Sequence, residues 1–144
     1  MMLPSDFSIK IIDFGFATKI RDENNKPLYS EFICGSPGYK APEIELGKYQ
    51  GDKVDTFAIG VVLFLFCFRV YPFDPENSKD SYQEYLNNKD TFWNAVGNDD
   101  SDLRDLLDLI FEEDPTKRID IKGILAHEWL KKAETITVVK QFYG

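Results

Sequence analysis

The residues of this chain that could take part in chemistry are carboxylates and a hydroxyl within three short motifs. Asp13-Phe14-Gly15 follows an apolar segment, Ala41-Pro42-Glu43 comes 28 residues later, and Ser36 lies between them in the segment GSPGY. The cysteines lack the CxxC spacing of a metal or redox site. A DFG triplet recurs by chance, so the order and spacing of the motifs carry the information.

Each motif stands beside an element that would position it. Residues 8–12 (SIKII) predict a short strand that ends at Asp13. The polar stretch 20–26 before Pro27 predicts an exposed loop. Pro42 predicts the first turn of a short helix that Gly47 stops. The apolar run 57–68 predicts a buried helix, which Asp52 or Asp55 would cap.

Helices are also predicted for the second half of the chain. Short ones are expected over 82–86 and 91–95, and a longer one over 101–112 with Ser101 as its N-cap. Asp120 is expected to cap a last helix whose apolar residues repeat as far as Leu130. The tail 135–143 predicts an extended edge or a flexible end. The predicted unit is mainly α, within an α+β class, with a short β-hairpin-like start.

Composition limits the class of protein. The chain has 144 residues, a net charge of −8, 43% hydrophobic and 15% aromatic residues, so it can bury a core and is not a disordered acidic tail. An acidic chain argues against nucleic-acid binding. The twelve apolar residues 57–68 are too few for a membrane span, which needs about 20. The composition and the absence of a secretory signal predict a soluble protein of the cytoplasm or nucleus, and its length predicts one domain.

The motifs together resemble the protein kinase superfamily, in its serine/threonine branch. Besides DFG, GSPGY and APE, the chain contains DTFAIG at 55–60, DPTKR at 114–118 and HEWL at 127–130, in the order of that family. The resemblance implies a truncated kinase-like C-lobe over residues 1–132, with an activation segment at 13–43, a helical part at 44–132 and a tail at 133–144. GSPGY favours serine/threonine rather than tyrosine kinases.

The resemblance also assigns roles to individual residues. Asp13 would bind Mg²⁺, Phe14 would pack inward, and Gly15 would give the backbone freedom to rotate. Ser36 would supply the hydroxyl that hydrogen-bonds the catalytic Asp and Lys of a complete domain. The remaining assignments are a buried ion pair between the APE motif (Ala41, Pro42, Glu43) and Arg118, a buried Asp55 that holds the catalytic loop, and the candidate phosphorylation sites Tyr29 and Ser30.

The printed sequence contains no glycine-rich loop, VAIK lysine or HRD motif. On this resemblance, Met1 is expected to correspond to a position just after the catalytic-loop Asn, either within a longer kinase or at the start of a short product. ATP and Mg²⁺ are the cofactors implied for the complete domain, whereas tight ATP binding and phosphoryl transfer are not expected of this chain alone.

Two function classes remain open. The chain is part of an enzyme that needs a complementing segment and acts on a protein substrate, or it is a non-catalytic binding or scaffold module. In either case, apolar surface left uncovered by the upstream segment is expected to cause self-association or to bind a partner.

Overall fold

The computed structural model describes residues 9–97 and 99–135. Helices dominate this part of the chain, which confirms the predicted mainly α class. The two short strands are β1 (Tyr29–Ser30) and β2 (Tyr49–Gln50), and a 3-10 helix spans Pro42–Leu46. The α-helices are α1 (Gly51–Phe68), α2 (Ser78–Asn87), α3 (Lys89–Val96), α4 (Ser101–Ile110), α5 (Ile121–Ala126) and α6 (Glu128–Thr135).

Helix α1 lies at the centre of the core. Phe57, Val61 and Phe64 on its inner face are buried, and α4 packs against it. Gly60 allows this close approach, because a Cβ atom there would lie 2.3 Å from Cγ2 of Ile110. The predicted apolar face of α4 is confirmed, since its four members are all buried: Leu103, Leu106, Leu107 and Ile110.

Aromatic rings fill the space between α1, α2 and α4. Phe73 packs edge-on against Tyr82 and Phe111, with ring centroids 5.0 Å apart in each pair. The buried Tyr82 hydroxyl donates to the carbonyl of Phe111 at 2.8 Å. Burial raises the pKa of Tyr82, so this hydroxyl stays protonated as a donor. The cluster therefore holds α2 against the end of α4.

The helix starts show which capping predictions are correct. Asp120 caps α5 by accepting a hydrogen bond from the Gly123 amide at 2.8 Å, as predicted. The N-cap of α4 is Asp100 instead of Ser101, because its carboxylate accepts from the amides of both Asp102 and Leu103. The prediction that Asp52 or Asp55 caps α1 is wrong. This helix starts at Gly51, so that Asp52 lies in its first turn.

The single last helix predicted after Asp120 is divided into α5 and α6. The dividing residue, His127, has an extended backbone, and its Nδ1 accepts from the amide of Trp129 at 3.2 Å. Its Nε2 lies 3.1 Å from Asp105 on α4. His127 thus precedes α6, stabilises its first turn and connects it to α4 through Asp105. The predicted tail beyond Thr135 lies outside the described residues.

The N-terminal strand prediction fails for the residues that can be checked. Of residues 9–12, Ile9 alone forms an isolated bridge, and Ile11 is 82% exposed. The earlier part of this prediction lies outside the described residues. A strand needs a neighbour for its backbone groups, and apolar alternation alone does not provide one. Within residues 9–97 and 99–135, no helix is long and apolar enough to cross a membrane.

Candidate functional site

Asp13 begins a tight turn. Its φ is 62°, in the left-handed region that Asp tolerates better than most residues. Its Oδ1 accepts from the amide of Gly15 at 3.3 Å, and the amide of Ala17 donates to the carbonyl of Phe14 at 3.0 Å. These local hydrogen bonds orient an exposed carboxylate at the start of the segment 13–43.

The expected inward packing of Phe14 is not present. The side chain is 69% exposed, as is the neighbouring Phe16 at 68%. The ring of Phe16 lies 6.4 Å from that of Phe32, which is itself exposed. Packing requires a covering surface, and the described residues do not supply one at Phe14.

Asp13 fits Mg²⁺ as one ligand of several. Protein sites for Mg²⁺ often use one or two carboxylates and take their other oxygens from phosphates and water. The described residues contain no group of three or more His, Cys, Asp or Glu side chains that could hold a metal by themselves. The chemistry of this donor therefore suits a metal ion that arrives with a phosphate ligand.

Residues 20–30 form a compact hairpin that contains the loop predicted over 20–26. The amide of Leu28 donates to the carbonyl of Ile20 at 2.9 Å, and Asp22 Oδ1 accepts from the amides of Asn24 and Lys26. The prediction that this stretch is exposed is confirmed. β1 then pairs antiparallel with β2, with Tyr29 opposite Gln50.

The candidate phosphorylation sites lie on β1 in different settings. Tyr29 is 57% exposed; its hydroxyl accepts from Nε2 of Gln50 at 3.1 Å, and Nζ of Lys48 lies 5.0 Å from its ring centroid. Ser30 is half-buried, and its Oγ accepts from the amide of Phe32 at 3.3 Å. The Tyr29 hydroxyl is therefore the more accessible of the two.

The GSPGY segment packs against the loop after α1. Gly38 has φ 85° and is buried, and a Cβ atom there would lie 3.1 Å from Pro75. The hydroxyl of Tyr71 donates to that of Tyr39 at 3.1 Å, and this hydrogen bond, together with burial, raises the pKa of Tyr39. Ser36 is exposed, and its carbonyl accepts from the amide of Tyr39 at 3.3 Å.

The APE motif is locked to the helical part of the chain by Arg118. Nη1 and Nη2 of Arg118 bind the two carboxylate oxygens of Glu43 at 2.5 and 3.0 Å. The side chains of Arg118 and Glu43 are 0% and 7% exposed, so this bidentate ion pair is dry. Ala41 beside it is fully buried. The buried ion pair expected between these residues is thus present across 75 positions of sequence.

Sequence reasoning missed the other partners of Arg118. Its Nη1 also donates to the carbonyl of Lys53 at 2.9 Å and its Nε to that of Glu112 at 3.1 Å. Lys53 in turn donates to the carbonyl of Arg118 at 2.9 Å, and Arg118 lies over the ring of Phe57 at 5.2 Å. The sequence did contain one signal for these contacts. Lys53 and Phe57 are four residues apart, so they are neighbours on one face of α1.

Asp55 lies on α1, but its carboxylate is exposed and not buried as expected. Partial loss of hydration raises its pKa, and the nearby Asp52 adds to this shift. Within the part of the chain that the structure describes, Asp13, Ser36 and Asp55 share no hydrogen bond or ion pair. The structure therefore brings Glu43 and Arg118 into contact, whereas Asp13, Ser36 and Asp55 do not contact one another through hydrogen bonds or ion pairs among the described residues.

Comparisons of the sequence with known proteins identify its family. The family model for the protein kinase domain matches residues 1–130. The chain is 34% identical over 129 residues to an Arabidopsis thaliana protein, SNF1-related protein kinase catalytic subunit alpha KIN12, covering 90% of this chain and 25% of the relative. It is 32% identical over 133 residues to mouse testis-specific serine/threonine-protein kinase 2, with coverages of 91% and 37%.

A third relative is the probable serine/threonine-protein kinase KCC4 of Saccharomyces cerevisiae, 39% identical over 140 residues, with coverages of 94% of this chain and 13% of the relative. The chain thus spans between about an eighth and just over a third of the length of these relatives. It belongs to the protein kinase family and corresponds to a C-lobe portion of a serine/threonine kinase domain.

Proposed function

We propose that this chain works as part of a serine/threonine protein kinase, which transfers the γ-phosphoryl group of ATP to a protein Ser or Thr with Mg²⁺. The observation that carries the proposal is the dry Glu43–Arg118 pair beside the buried Ala41. It attaches the end of the segment 13–43 to the helices, so that this segment has a rigid support on which a protein substrate can be placed.

Asp13 and Ser36 have separate roles in this proposal. Phosphoryl transfer depends on positioning and on neutralising the charge of the phosphates, which Mg²⁺ supplies when it is bound. Asp13 would hold that ion, since its turn presents the carboxylate to solvent. Ser36 is also exposed and would orient the catalytic Asp and Lys of the complementing segment.

The outward face of α1 is where we place that complementing segment. Asp55, Ile59, Val62 and Phe66 recur at helical spacing, and all four are exposed. The apolar side chains of this row would contact apolar side chains of the complementing segment. The carboxylate of Asp55, which is only partly hydrated, would accept a hydrogen bond from a donor at one end of that segment. Covering this face would also exclude water from Asp55.

The 144-residue polypeptide by itself is expected to lack phosphotransfer activity, because one metal-binding carboxylate does not supply a base or an adenine pocket. The assay is transfer of labelled phosphate from Mg-ATP to a mixed peptide library. A turnover that Asp13→Asn abolishes and Lys117→Ala leaves intact would contradict this expectation.

Adding a complementing segment tests the kinase assignment itself. The chain is mixed with a second polypeptide that runs from the glycine-rich loop to the catalytic-loop Asn of the Arabidopsis relative. We expect phosphotransfer to appear and to be lost with Asp13→Asn but not with Lys117→Ala. Formation of a stable complex that remains inactive would contradict the enzymatic role.

The second candidate function is a non-catalytic binding or scaffold module. The exposed apolar row on α1 favours it, because such a surface binds protein partners or a second copy of the chain. Sequencing the transcript upstream of the Met1 codon distinguishes the two functions. In-frame HRD and Asn codons support the kinase, whereas stop codons or unrelated sequence support the module. Sedimentation of the isolated chain measures self-association directly.

A further inference from the structure

His127 connects α5 to α6, and each of its two ring nitrogens has a hydrogen-bond partner. It stands immediately before α6, which begins at Glu128, and its own backbone is extended. Nδ1 lies 3.2 Å from the backbone nitrogen of Trp129, and Nε2 lies 3.1 Å from Oδ2 of Asp105 on α4. The imidazole is only 11% exposed, so water has little access to either contact.

These two partners allow only one form of the neutral ring. A backbone N–H can only donate, so Nδ1 must be unprotonated in order to accept from Trp129. The single proton of the neutral imidazole is then on Nε2, which donates it to the Asp105 carboxylate. The ring therefore caps α6 through Nδ1, as a side-chain oxygen of Asn or Asp does at many other helix starts.

A second proton on the ring removes the cap and keeps the contact with Asp105. Protonation occupies the lone pair of Nδ1, so that two donors face each other at the Trp129 amide. A positive charge is also unfavourable at the N-terminus of a helix. Nε2 is a donor in both forms of the ring. Its bond to Asp105 gains a charge on protonation, but that carboxylate is 68% exposed, and ion pairs this exposed stabilise weakly.

Two further contacts attach α6 to α4 without using the imidazole. Asp100 accepts from Nε1 of the Trp129 indole at 3.1 Å, and Asp102 pairs with Lys132. Both contacts are available in either form of the ring, and the added positive charge lies on a side of α4 that is rich in carboxylates. Loss of the cap is therefore expected to affect the first turn of α6 and to leave the helix in its place on α4.

The helices α4 and α5 pack against α6, and their other described charged groups have partners of their own, apart from the exposed Lys122 on α5. These groups, together with the remaining pair on α6, are Glu128 with Lys131, Arg104 with Asp90, Asp108 with Tyr85 and Trp93, and Asp120 as the cap of α5. Carboxyl groups ordinarily titrate near pH 4 and amines near pH 10. Imidazole is the kind of side chain that ordinarily changes charge between pH 5 and 8.

We propose that His127 is a pH-sensitive cap, which closes the first turn of α6 when the ring is neutral and loosens it when the ring is protonated. The amides that this turn protects are those of Trp129, Leu130 and Lys131. The last two donate to the carbonyl of His127 at 3.1 and 3.2 Å. The inference does not depend on the kinase assignment, because it uses the helical part of the chain alone.

Nitrogen-15 NMR of the full chain tests the form of the ring directly, since His127 is its single histidine. At pH 8 the proton is expected on Nε2. As the pH is lowered to 5, the amide signal of Trp129 is expected to shift with the same midpoint as the ring nitrogens. A proton on Nδ1 at pH 8, or an amide signal that does not follow the ring, would overturn the proposal.

Two substitutions separate the roles of the two ring nitrogens. His127→Asn places an oxygen near the position of Nδ1 and so keeps a cap that does not titrate. His127→Gln reaches the position of Nε2, keeps a donor for Asp105 and loses the cap. At pH 8, the amides of residues 129–131 are expected to exchange about fivefold faster in the Gln variant than in the unmodified chain, equivalent to a cap of about 1 kcal/mol. The Asn variant is expected to match the unmodified chain.

At pH 5 the unmodified chain is expected to approach the exchange rates of the Gln variant, whereas the Asn variant keeps its protection. Comparing the proteins at one pH removes the effect of pH on the exchange reaction itself and on other titrating groups. Amides of α1 are the internal control and should exchange equally in all three proteins. A ratio between the unmodified chain and the Asn variant that is the same at pH 5 and pH 8, or faster exchange of the Asn variant at pH 8, would overturn the proposal.

Discussion

Replacing Arg118 by alanine is expected to destabilise the chain more than any substitution of an exposed cation. The guanidinium is completely buried and makes hydrogen bonds to Glu43, to the carbonyl of Lys53 and to that of Glu112. Alanine removes all of these donors together. It also leaves the Glu43 carboxylate, only 7% exposed, without a counter-charge in a dry site.

The expected cost follows from that stranded charge. Removing one partner of a buried ion pair costs about 3–5 kcal/mol, because the remaining ion keeps its desolvation penalty and loses its compensation. At about 3 °C per kcal/mol for a domain of this size, the melting temperature should fall by about 9–15 °C. Glu43→Gln keeps the shape and one acceptor, and should cost about 1.5–3 kcal/mol.

Urea denaturation followed by tryptophan fluorescence measures these costs, since the buried Trp93 reports on the core. The matched control is Lys117→Ala. Lys117 precedes Arg118 in the chain, but its side chain is 73% exposed, and among residues 9–97 and 99–135 its one ion pair is with Asp114, at 3.5 Å. This control should change stability by about 1 kcal/mol or less. If Arg118→Ala costs no more than Lys117→Ala, the ion pair does not hold the APE motif to the helices.

Three further substitutions test separate features. Arg69 ends α1 at φ 60°, so Arg69→Gly should raise the free energy of unfolding by about 0.5–1 kcal/mol in urea denaturation; a loss would contradict left-handed strain there. Gly60→Ala should lower it by about 1–3 kcal/mol, because the new methyl group meets Ile110, and an unchanged value would disprove that close approach. Asp55 has a raised pKa, so at a pH above that pKa its ionised carboxylate lowers the free energy of unfolding. This loss of stability disappears as the pH falls below the ordinary carboxyl pKa of about 4, because Asp55 is then protonated in both the folded and the unfolded chain. Asp55→Asn should therefore raise the melting temperature at pH 7 but not at pH 3, and an equal gain at both pH values would rule out a charge effect.

The local pattern of apolar residues, prolines and glycines was sufficient to predict much of the fold. Pro42 and Gly47 bound the 3-10 helix as predicted, and α1 ends at Phe68 where its apolar run ends. The boundaries of the short helices α2 and α3 were predicted less accurately. Asn88 both ends α2 and caps α3 by accepting from the amide of Thr91, so the two short helices are longer and closer together than their apolar residues indicated.

Part of the candidate site was also predictable. The Glu43–Arg118 pair followed from the family resemblance, since local spacing does not connect residues 75 positions apart. The exposure of Phe14 and Asp55 was not predictable, because burial depends on which surfaces lie opposite a side chain and not on its type.

The order of the motifs and the inner faces of the helices can be read from local sequence, because residue type and helical period act over a few positions. Which distant groups meet depends on the folded arrangement of the helices and loops. It placed Lys53 and Phe57 around Arg118, and it set Ile20 in the space that Gly51 leaves. These contacts depend on how whole elements pack, and packing at atomic distances is a property of the folded chain as a unit.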